Sequence, residues 1–238
     1  DHKSRAVQTI SDNHQGGVDV AHMQYNFTGE VLHAWNRHDN GHGTQVEIKE
    51  KFEYDNQGRL LETWQQYNHD SPVLLSSNKY NVLGEVKEKN VHSTNHGGSF
   101  LQSVDFDYNV RGWLTHINNS YLDKTASRND DLNDLFGMEI RYDQVDANFS
   151  GATPLFDGNI SQIFWQSASD NERRGYSYSY DHASRIRQAR YRRFDKTAQT
   201  WSQDLGHYDL NQVNYDLNGN IAFLSRNGFR QDGTYGLM

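Results

Sequence analysis

Apolar and polar residues alternate along several stretches of this chain, and each of these stretches is short. The alternation is clearest over residues 46–54, 100–108, 138–142 and 176–180. Side chains of a β-strand point to opposite faces in turn, so this period of two predicts strands with one wet face. No stretch shows a convincing helical period over more than two turns. The pattern therefore predicts an all-β chain.

A heptad repeat organises these strands. Its template is Tyr-[Asp/Asn]-x-x-Gly-x-[Leu/Ile/Val], and full copies begin at residues 25, 54, 80 and 108, at spacings of 29, 26 and 28 residues. Later copies begin at Tyr215 and at Tyr180, where Ser184 replaces the glycine, and a shortened copy begins at Phe156. Self-similarity at a nearly fixed period is typical of a repeat architecture in which each unit stacks on its neighbours.

Each heptad predicts one hairpin turn. Asp or Asn suits the first corner of a type I turn, and Gly can take the left-handed conformation that closes a three-residue hairpin loop. This geometry would place Asp55 opposite Arg59 and pair Tyr54 with Leu60 across the strands. The residues assigned to repeat turns and to the packing beside them are Tyr25, Gly29, Tyr54, Asp55, Gly58, Leu60, Tyr80, Gly84, Tyr108, Gly112, Tyr180, Tyr215, Asp216 and Gly219.

The repeats divide the chain into four parts of one array. We expect lead-in strands over residues 1–24, regular repeats over 25–121, an inserted polar loop over 122–136, and irregular repeats over 137–238. Only 34% of the residues are hydrophobic, and the mean hydropathy is −0.95. Successive antiparallel hairpins in a long curved sheet of one layer would explain this composition, because such a sheet exposes more surface than a two-layer sandwich.

The heptads resemble the YD repeats of the RHS (rearrangement hotspot) family, and three stretches are similar to RHS-type surface or polymorphic-toxin proteins of Bacteroidetes. The resemblance implies a section of a β-spiral shell that encapsulates or displays a C-terminal, often toxic, domain. It also implies secretion or a cell-surface location. The Asp-Pro motif of the family's self-cleaving core is absent, since Pro72 and Pro154 follow Ser71 and Thr153. We therefore expect a fragment of a longer chain, with the family's core and cargo domain as its partners.

Charge and composition exclude several other classes. The chain carries 23 Lys and Arg against 31 Asp and Glu, for a net charge of −8, whereas nucleic-acid binding generally requires a basic surface. There is no cysteine, and no apolar run is long enough to span a membrane. Motifs for a catalytic nucleophile or a phosphate-binding loop are also missing. We expect a structural protein without enzymatic activity, catalytic residues or a cofactor.

Metal binding has weak support in the sequence. The pairs His38/His42 and His92/His96 are four residues apart, but they lie in turn-rich segments rather than on helices. Asp130, Asp131 and Asp134 supply oxygen ligands of the kind calcium prefers. The same segment lacks the Gly and the distal Glu of a calcium-binding loop, so an inserted polar loop is the favoured interpretation.

The alternative function is a carbohydrate-binding or adhesive surface. Residues 173–196 hold seven Arg and one Lys against two acids, and Arg190 and Arg192 are the candidate ligand contacts there. The opposing interpretation is a strand face whose charge is offset by acids on neighbouring strands. Trp64 and Trp113 have the positions of packing residues beside repeat turns. Trp201 lies in a weakly patterned stretch and is therefore the tryptophan expected to be exposed and to stack on a sugar.

Overall fold

The residues that the structure describes form seventeen β-strands. The structure is a computed structural model, and it describes residues 1–122, 134–149, 151–202 and 206–238. Within these residues there is no α-helix, and every strand pair with a defined register is antiparallel. Neither does the described part of the chain contain a helix that could cross a membrane. The prediction of an all-β chain built from successive hairpins is confirmed.

The first of two compact units spans Asp1–Val104. Its strands pair in chain order, each with the next, so that the unit is an open sheet of hairpins. The strands are β1 (Gln8–Asp12), β2 (Val18–Tyr25), β3 (Val31–Asp39), β4 (Gln45–Tyr54), β5 (Leu60–Tyr67), β6 (Val73–Tyr80) and β7 (Val86–Ser93).

The second unit spans Asp105–Met238. Neighbouring strands again pair in chain order, except that β13 pairs with both β14 and β15. The strands are β8 (Gln102–Tyr108), which crosses the division, β9 (Leu114–Ile117), β10 (Phe136–Arg141), β11 (Gln162–Ser167), β12 (Arg173–Tyr180), β13 (Ile186–Asp195), β14 (Thr200–Trp201), β15 (Leu210–Tyr215), β16 (Ile221–Phe229) and β17 (Tyr235–Leu237).

The heptads fix where strands end and begin. In six copies the tyrosine is the last residue of one strand, and the aliphatic residue at the seventh position is the first residue of the next. A shift in register precedes the tyrosine in each of these hairpins. Such a bulge increases the local twist of the strand. The strand that leads into each of these six turns is therefore more strongly twisted near its tyrosine.

Only part of the inserted loop predicted over residues 122–136 lies within the described residues. Residues 123–133 lie outside the described part of the chain, and Phe136 already belongs to strand β10. In the lead-in segment, β1 and nearly all of β2 fall within residues 1–24.

The buried residues are few and lie mainly in the second unit. There, Phe149, Phe164 and Trp201 form a cluster against which Phe194 packs. The first unit buries only a few side chains, among them Leu74 and Val20. A sheet with so small a core depends strongly on contacts between neighbouring strands and turns.

Candidate functional site

Each heptad turn is held by its Asp or Asn side chain. In the copy that begins at Tyr54, the Asp55 backbone N–H donates to the Arg59 carbonyl at 2.9 Å, and the Gly58 N–H donates to the Asp55 carbonyl at 3.0 Å. The Asp55 carboxylate also accepts from the backbone N–H groups of Gln57 at 2.8 Å and Arg59 at 2.9 Å. Gly58 has a φ of +78°. The turn thus satisfies its own polar groups, and the structure places Tyr54 opposite Leu60.

Hydrogen bonds from the tyrosines link neighbouring repeats within each unit. The Tyr54 hydroxyl donates to the Val31 carbonyl at 3.0 Å, and the Tyr80 hydroxyl donates to the Leu60 carbonyl at 2.8 Å. In both cases the acceptor is the seventh residue of the preceding heptad. We call this set of bonds the tyrosine ladder; its donor–acceptor pairs are Tyr25–Ala6, Tyr54–Val31, Tyr80–Leu60, Tyr142–Leu114, Tyr180–Ile160 and Tyr215–Ile186.

Burial shifts the pKa of three ladder hydroxyls. It raises the pKa of Tyr54, Tyr142 and Tyr180 above the usual value for a tyrosine. A phenol that stays neutral remains a hydrogen-bond donor, which is what the backbone carbonyl requires. Tyr54, Tyr142 and Tyr180 therefore remain hydrogen-bond donors across the physiological pH range.

In two copies, an arginine at the sixth heptad position contacts the ladder tyrosine of the next repeat. The guanidinium of Arg59 lies 4.6 Å from the ring centre of Tyr80 in the next repeat, and Arg185 lies 4.4 Å from that of Tyr215. Each arginine is also paired with the acid of its own turn, since Arg59 Nε is 2.6 Å from Asp55 Oδ2. The ion pair orients the arginine toward the neighbouring tyrosine, where a cation–π contact contributes roughly 0.5–1 kcal/mol at exposed sites.

The turn glycines leave room for these side chains. A Cβ added to Gly84 would lie 3.4 Å from Arg59 Nη1, and one added to Gly58 would lie 2.7 Å from Glu30 Oε1. In both cases the neighbour is the sixth residue of the preceding heptad. Glycine suits this position because of its positive φ, which Ser184 also adopts in its copy, and because the side chain of the previous repeat approaches closely.

The first turn of the chain is a copy of the repeat that the heptad template misses. Ser4 has a φ of +59°, its N–H donates to the Asp1 carbonyl at 3.0 Å, and Arg5 Nε donates to Asp1 Oδ2 at 2.8 Å. Arg5 then lies 4.5 Å from the ring centre of Tyr25. The signal was present in the sequence, because residues 1–5 (DHKSR) closely match residues 181–185 (DHASR).

A second missed member of the ladder is Tyr142. It directly follows strand β10 and is followed by Asp143, but no glycine closes the heptad. Its hydroxyl nevertheless donates to the Leu114 carbonyl at 2.9 Å. Its ring packs against Trp113 with ring centres 5.0 Å apart. A Tyr-Asp pair after a predicted strand is the signal that could have found it.

The expectation that Trp201 is exposed is wrong. Its side chain is 2% exposed, its ring centre lies 4.9 Å from that of Phe164, and its indole N–H donates to Asp146 Oδ2 at 3.0 Å. Burial is favourable here because Phe149 and Phe164 supply apolar surface while Asp146 satisfies the only polar atom of the indole. Trp201 cannot stack on a ligand in this conformation.

Two arginines of the basic segment 173–196 are buried. Arg173 is 1% exposed and lies among aromatic rings, and its Nη2 is 3.2 Å from Glu139 Oε2. Burial lowers the pKa of Arg173 from its usual value. Arg192 is also buried, while Arg190 is exposed. The structure therefore does not assemble Trp201, Arg190 and Arg192 into one exposed site.

The metal candidates do not converge in the described residues. Asp130 and Asp131 lie outside the described part of the chain, and Asp134 precedes strand β10. His38 Nδ1 lies 2.6 Å from Asp19 Oδ1, which is a pairing that occupies the imidazole without a metal. Among the residues that the structure describes, no three His, Asp or Glu side chains are grouped so that they could hold a metal ion.

Comparison with known proteins gives distant structural likenesses. No protein-family model and no curated protein matches the chain. The chain is similar to chains in the crystal structures of TcdB2-TccC3-Cdc42 (10% identity, TM-score 0.37, 97% of this chain) and of TcdB2-TccC3 (11%, 0.32, 91%). It spans only 16% and 14% of those chains. It is also similar to a porin-like protein from Bacteroides uniformis (11% identity, TM-score 0.35), covering 97% of this chain and 92% of that one.

Proposed function

We propose that this chain is a structural segment of the wall of an RHS-type β-shell, which encloses or displays a C-terminal domain of its parent protein. The observation that carries the proposal is the tyrosine ladder. Because the ladder tyrosines bond to the repeat before them, a hairpin added in this way extends the sheet through the same contact. Stability then grows by nearest-neighbour terms, as it does in other repeat proteins.

The two faces of the first-unit sheet support a wall that separates two aqueous spaces. Along strand β4, Glu47 and Lys49 lie on one face, while Glu50 lies on the other, because successive side chains alternate. Glu47 pairs with Lys49 at 2.7 Å, and Glu50 accepts a hydrogen bond from Gln65 at 3.4 Å. Both faces can thus be wetted, whereas the sheets of a sandwich bury one face each.

The proposal extends to the partner and the location. The resemblance to RHS proteins points to the remainder of the parent chain, including the family core and a cargo domain, as the partner. It favours secretion or display at the cell surface. A toxic cargo fits this role, because enclosing such a domain would protect the producing cell.

The test is an electron-microscopy reconstruction of the full natural chain that contains this segment. The expected result is a closed hollow shell with density inside, in which residues 1–238 form part of the wall. A solid or rod-like β array without a cavity would overturn the proposal.

A matched biochemical test uses limited proteolysis of the same natural chain. The variant Tyr54→Phe/Tyr80→Phe/Tyr180→Phe removes three ladder hydroxyls, and Tyr67→Phe is the control outside the ladder. We expect the C-terminal domain to become cleavable in the triple variant and to stay protected in the control. If the domain is cleaved equally fast in the unmodified chain, it is not enclosed.

A further inference from the structure

The turn between β16 and β17 exchanges two residues of the heptad template. Its backbone bonds are those of the other heptad turns, since the Arg230 N–H donates to the Thr234 carbonyl at 2.8 Å and the Gly233 N–H donates to the Arg230 carbonyl at 3.1 Å. However, Phe229 occupies the tyrosine position, and Tyr235 occupies the aliphatic position opposite it. The hydroxyl of Tyr235 is therefore not a donor of the tyrosine ladder, and the repeat pattern does not account for it.

Tyr235 lies against a second exposed tyrosine. The Oη atoms of Tyr208 and Tyr235 are 3.3 Å apart, and their ring centres are 5.3 Å apart with the rings nearly perpendicular. The two side chains are 42% and 40% exposed, so both phenols reach solvent. Each Cε atom is two bonds from its phenol oxygen, and the short distance between the oxygens therefore brings Cε atoms of the two rings close together.

Neighbouring residues hold both rings in this arrangement. The ring of Tyr235 stacks on that of His207, with ring centres 3.9 Å apart. The Tyr208 carbonyl accepts from the Tyr176 hydroxyl at 3.1 Å, and the Tyr208 ring packs edge-on against Tyr191 with ring centres 5.2 Å apart. The fold thus positions the pair before any reaction takes place.

We propose that Tyr208 and Tyr235 are a modification site, at which oxidation joins the two rings through a Cε–Cε bond to form dityrosine. Each phenol loses one electron and one proton, and the two phenoxyl radicals couple at Cε. Tautomerisation then moves the hydrogen of each coupled Cε to its own oxygen, so the protein loses two electrons and two protons in all. Hydrogen peroxide, acting through a haem peroxidase, takes up these electrons and protons and becomes two molecules of water.

Other tyrosine contacts of the second unit are less suited to this coupling. Tyr176 and Tyr191 have ring centres 5.4 Å apart, but Tyr191 is only 7% exposed. A phenol that loses an electron must also release its proton, and water receives that proton at an exposed hydroxyl. A buried ring would instead retain a charge that is costly in an apolar environment. Oxidation should therefore end at Tyr208 and Tyr235.

The bond would fasten the end of the sheet covalently. It closes residues 208–235 into a ring and ties β17 to the segment that precedes β15. A cross-link of this kind restricts the unfolded chain, as a disulfide does, and this chain has no cysteine from which to form one. The inference does not depend on the wall function proposed above.

The experiment oxidises the full chain at low concentration with a haem peroxidase and hydrogen peroxide. Trypsin cleaves after Lys196, Arg226 and Arg230, so Tyr208 and Tyr235 fall in separate peptides, 197–226 and 231–238. We expect dityrosine fluorescence and a cross-linked pair of these peptides, whose mass is two hydrogen atoms below their sum. Fragmentation of this pair by tandem mass spectrometry should place the bond at Tyr208 rather than at Tyr215.

Two variants and a control make the result specific. Tyr208→Phe and Tyr235→Phe each keep the ring but remove one phenol, so the cross-linked peptide pair should disappear while circular dichroism stays unchanged. Tyr67→Phe removes an exposed phenol of the first unit and should leave the yield unchanged. The proposal is overturned if the peptide pair does not form, if it persists in Tyr208→Phe, or if dityrosine forms only between two chains.

Discussion

Removing single hydroxyls from the tyrosine ladder should destabilise the fold in steps. The change is Tyr→Phe at Tyr54, Tyr80 and Tyr180, which keeps each ring and deletes only its Oη atom. These hydroxyls donate to three different carbonyls at 3.0, 2.8 and 2.8 Å. The control is Tyr67→Phe, because Tyr67 is 48% exposed and its hydroxyl has no hydrogen bond within the described residues.

The size of each step follows from the hydrogen bond that is lost. A protein hydrogen bond contributes about 0.5–1.5 kcal/mol net. Tyr80→Phe should lie at the lower end, because the Leu60 carbonyl also accepts from Asn78 Nδ2 at 3.0 Å. The three sites share no acceptor, so the losses should add to about 1.5–4.5 kcal/mol in the triple variant.

Thermal and urea unfolding of the full chain provide the assay. For a chain of this size, each kcal/mol lost lowers the melting temperature by about 2–4 °C. The control should change the free energy of unfolding by less than about 0.5 kcal/mol. If Tyr54→Phe and Tyr180→Phe are as neutral as Tyr67→Phe, the ladder does not hold the repeats together, and the proposed wall function loses its supporting observation.

Three other changes test the turn, the core and the acid response. Gly58→Val should lower the free energy of unfolding by more than about 1 kcal/mol, because Gly58 has a positive φ and an added Cβ would meet Glu30; Gly58→Asn, which tolerates that φ, should cost less in the same urea titration. Trp201→Ala should cost about 3–5 kcal/mol, as for a buried tryptophan, and a loss below about 1 kcal/mol would contradict its place in the core. The hydrogen bond from Arg185 lowers the pKa of Asp181 from 3.8 to about 2. The Asp181–Arg185 pair therefore stabilises the folded state above pH 3.8, and this contribution is lost as the pH falls toward 2. In Asp181→Asn, the stability measured by circular dichroism should depend less on pH between about 3.8 and 2. An unchanged dependence on pH would argue against the ion pair.

The strands and turns could be predicted from the sequence because their causes are local. The alternation of residues 46–54 specifies a strand, and Asp55 with Gly58 specifies the turn that follows it. Each of these signals lies within a few residues of the structure that it determines. Local turn chemistry therefore yields the all-β class and most strand boundaries.

The contacts between repeats could not be predicted in the same way. The ladder acceptors are backbone carbonyls, which every residue carries, so no side chain marks them in the sequence. The cluster of Phe149, Phe164, Phe194 and Trp201 draws on four segments without a shared pattern. For this reason the local sequence pattern wrongly indicates that Trp201 is exposed. The ring contact between Trp64 and His96 likewise joins residues about thirty positions apart, and no local pattern marks it.

The backbone acceptor of the ladder has a consequence for how such a chain evolves. The carbonyls that receive the tyrosines belong to Ala6, Val31, Leu60, Leu114, Ile160 and Ile186. Because the ladder bond does not depend on which residue supplies the carbonyl, any repeat can lie beside any other. Unequal recombination can then duplicate, delete or exchange hairpins without breaking the connection between them. The strand residues are free to diverge meanwhile, so sequence similarity between such arrays can vanish while the architecture persists.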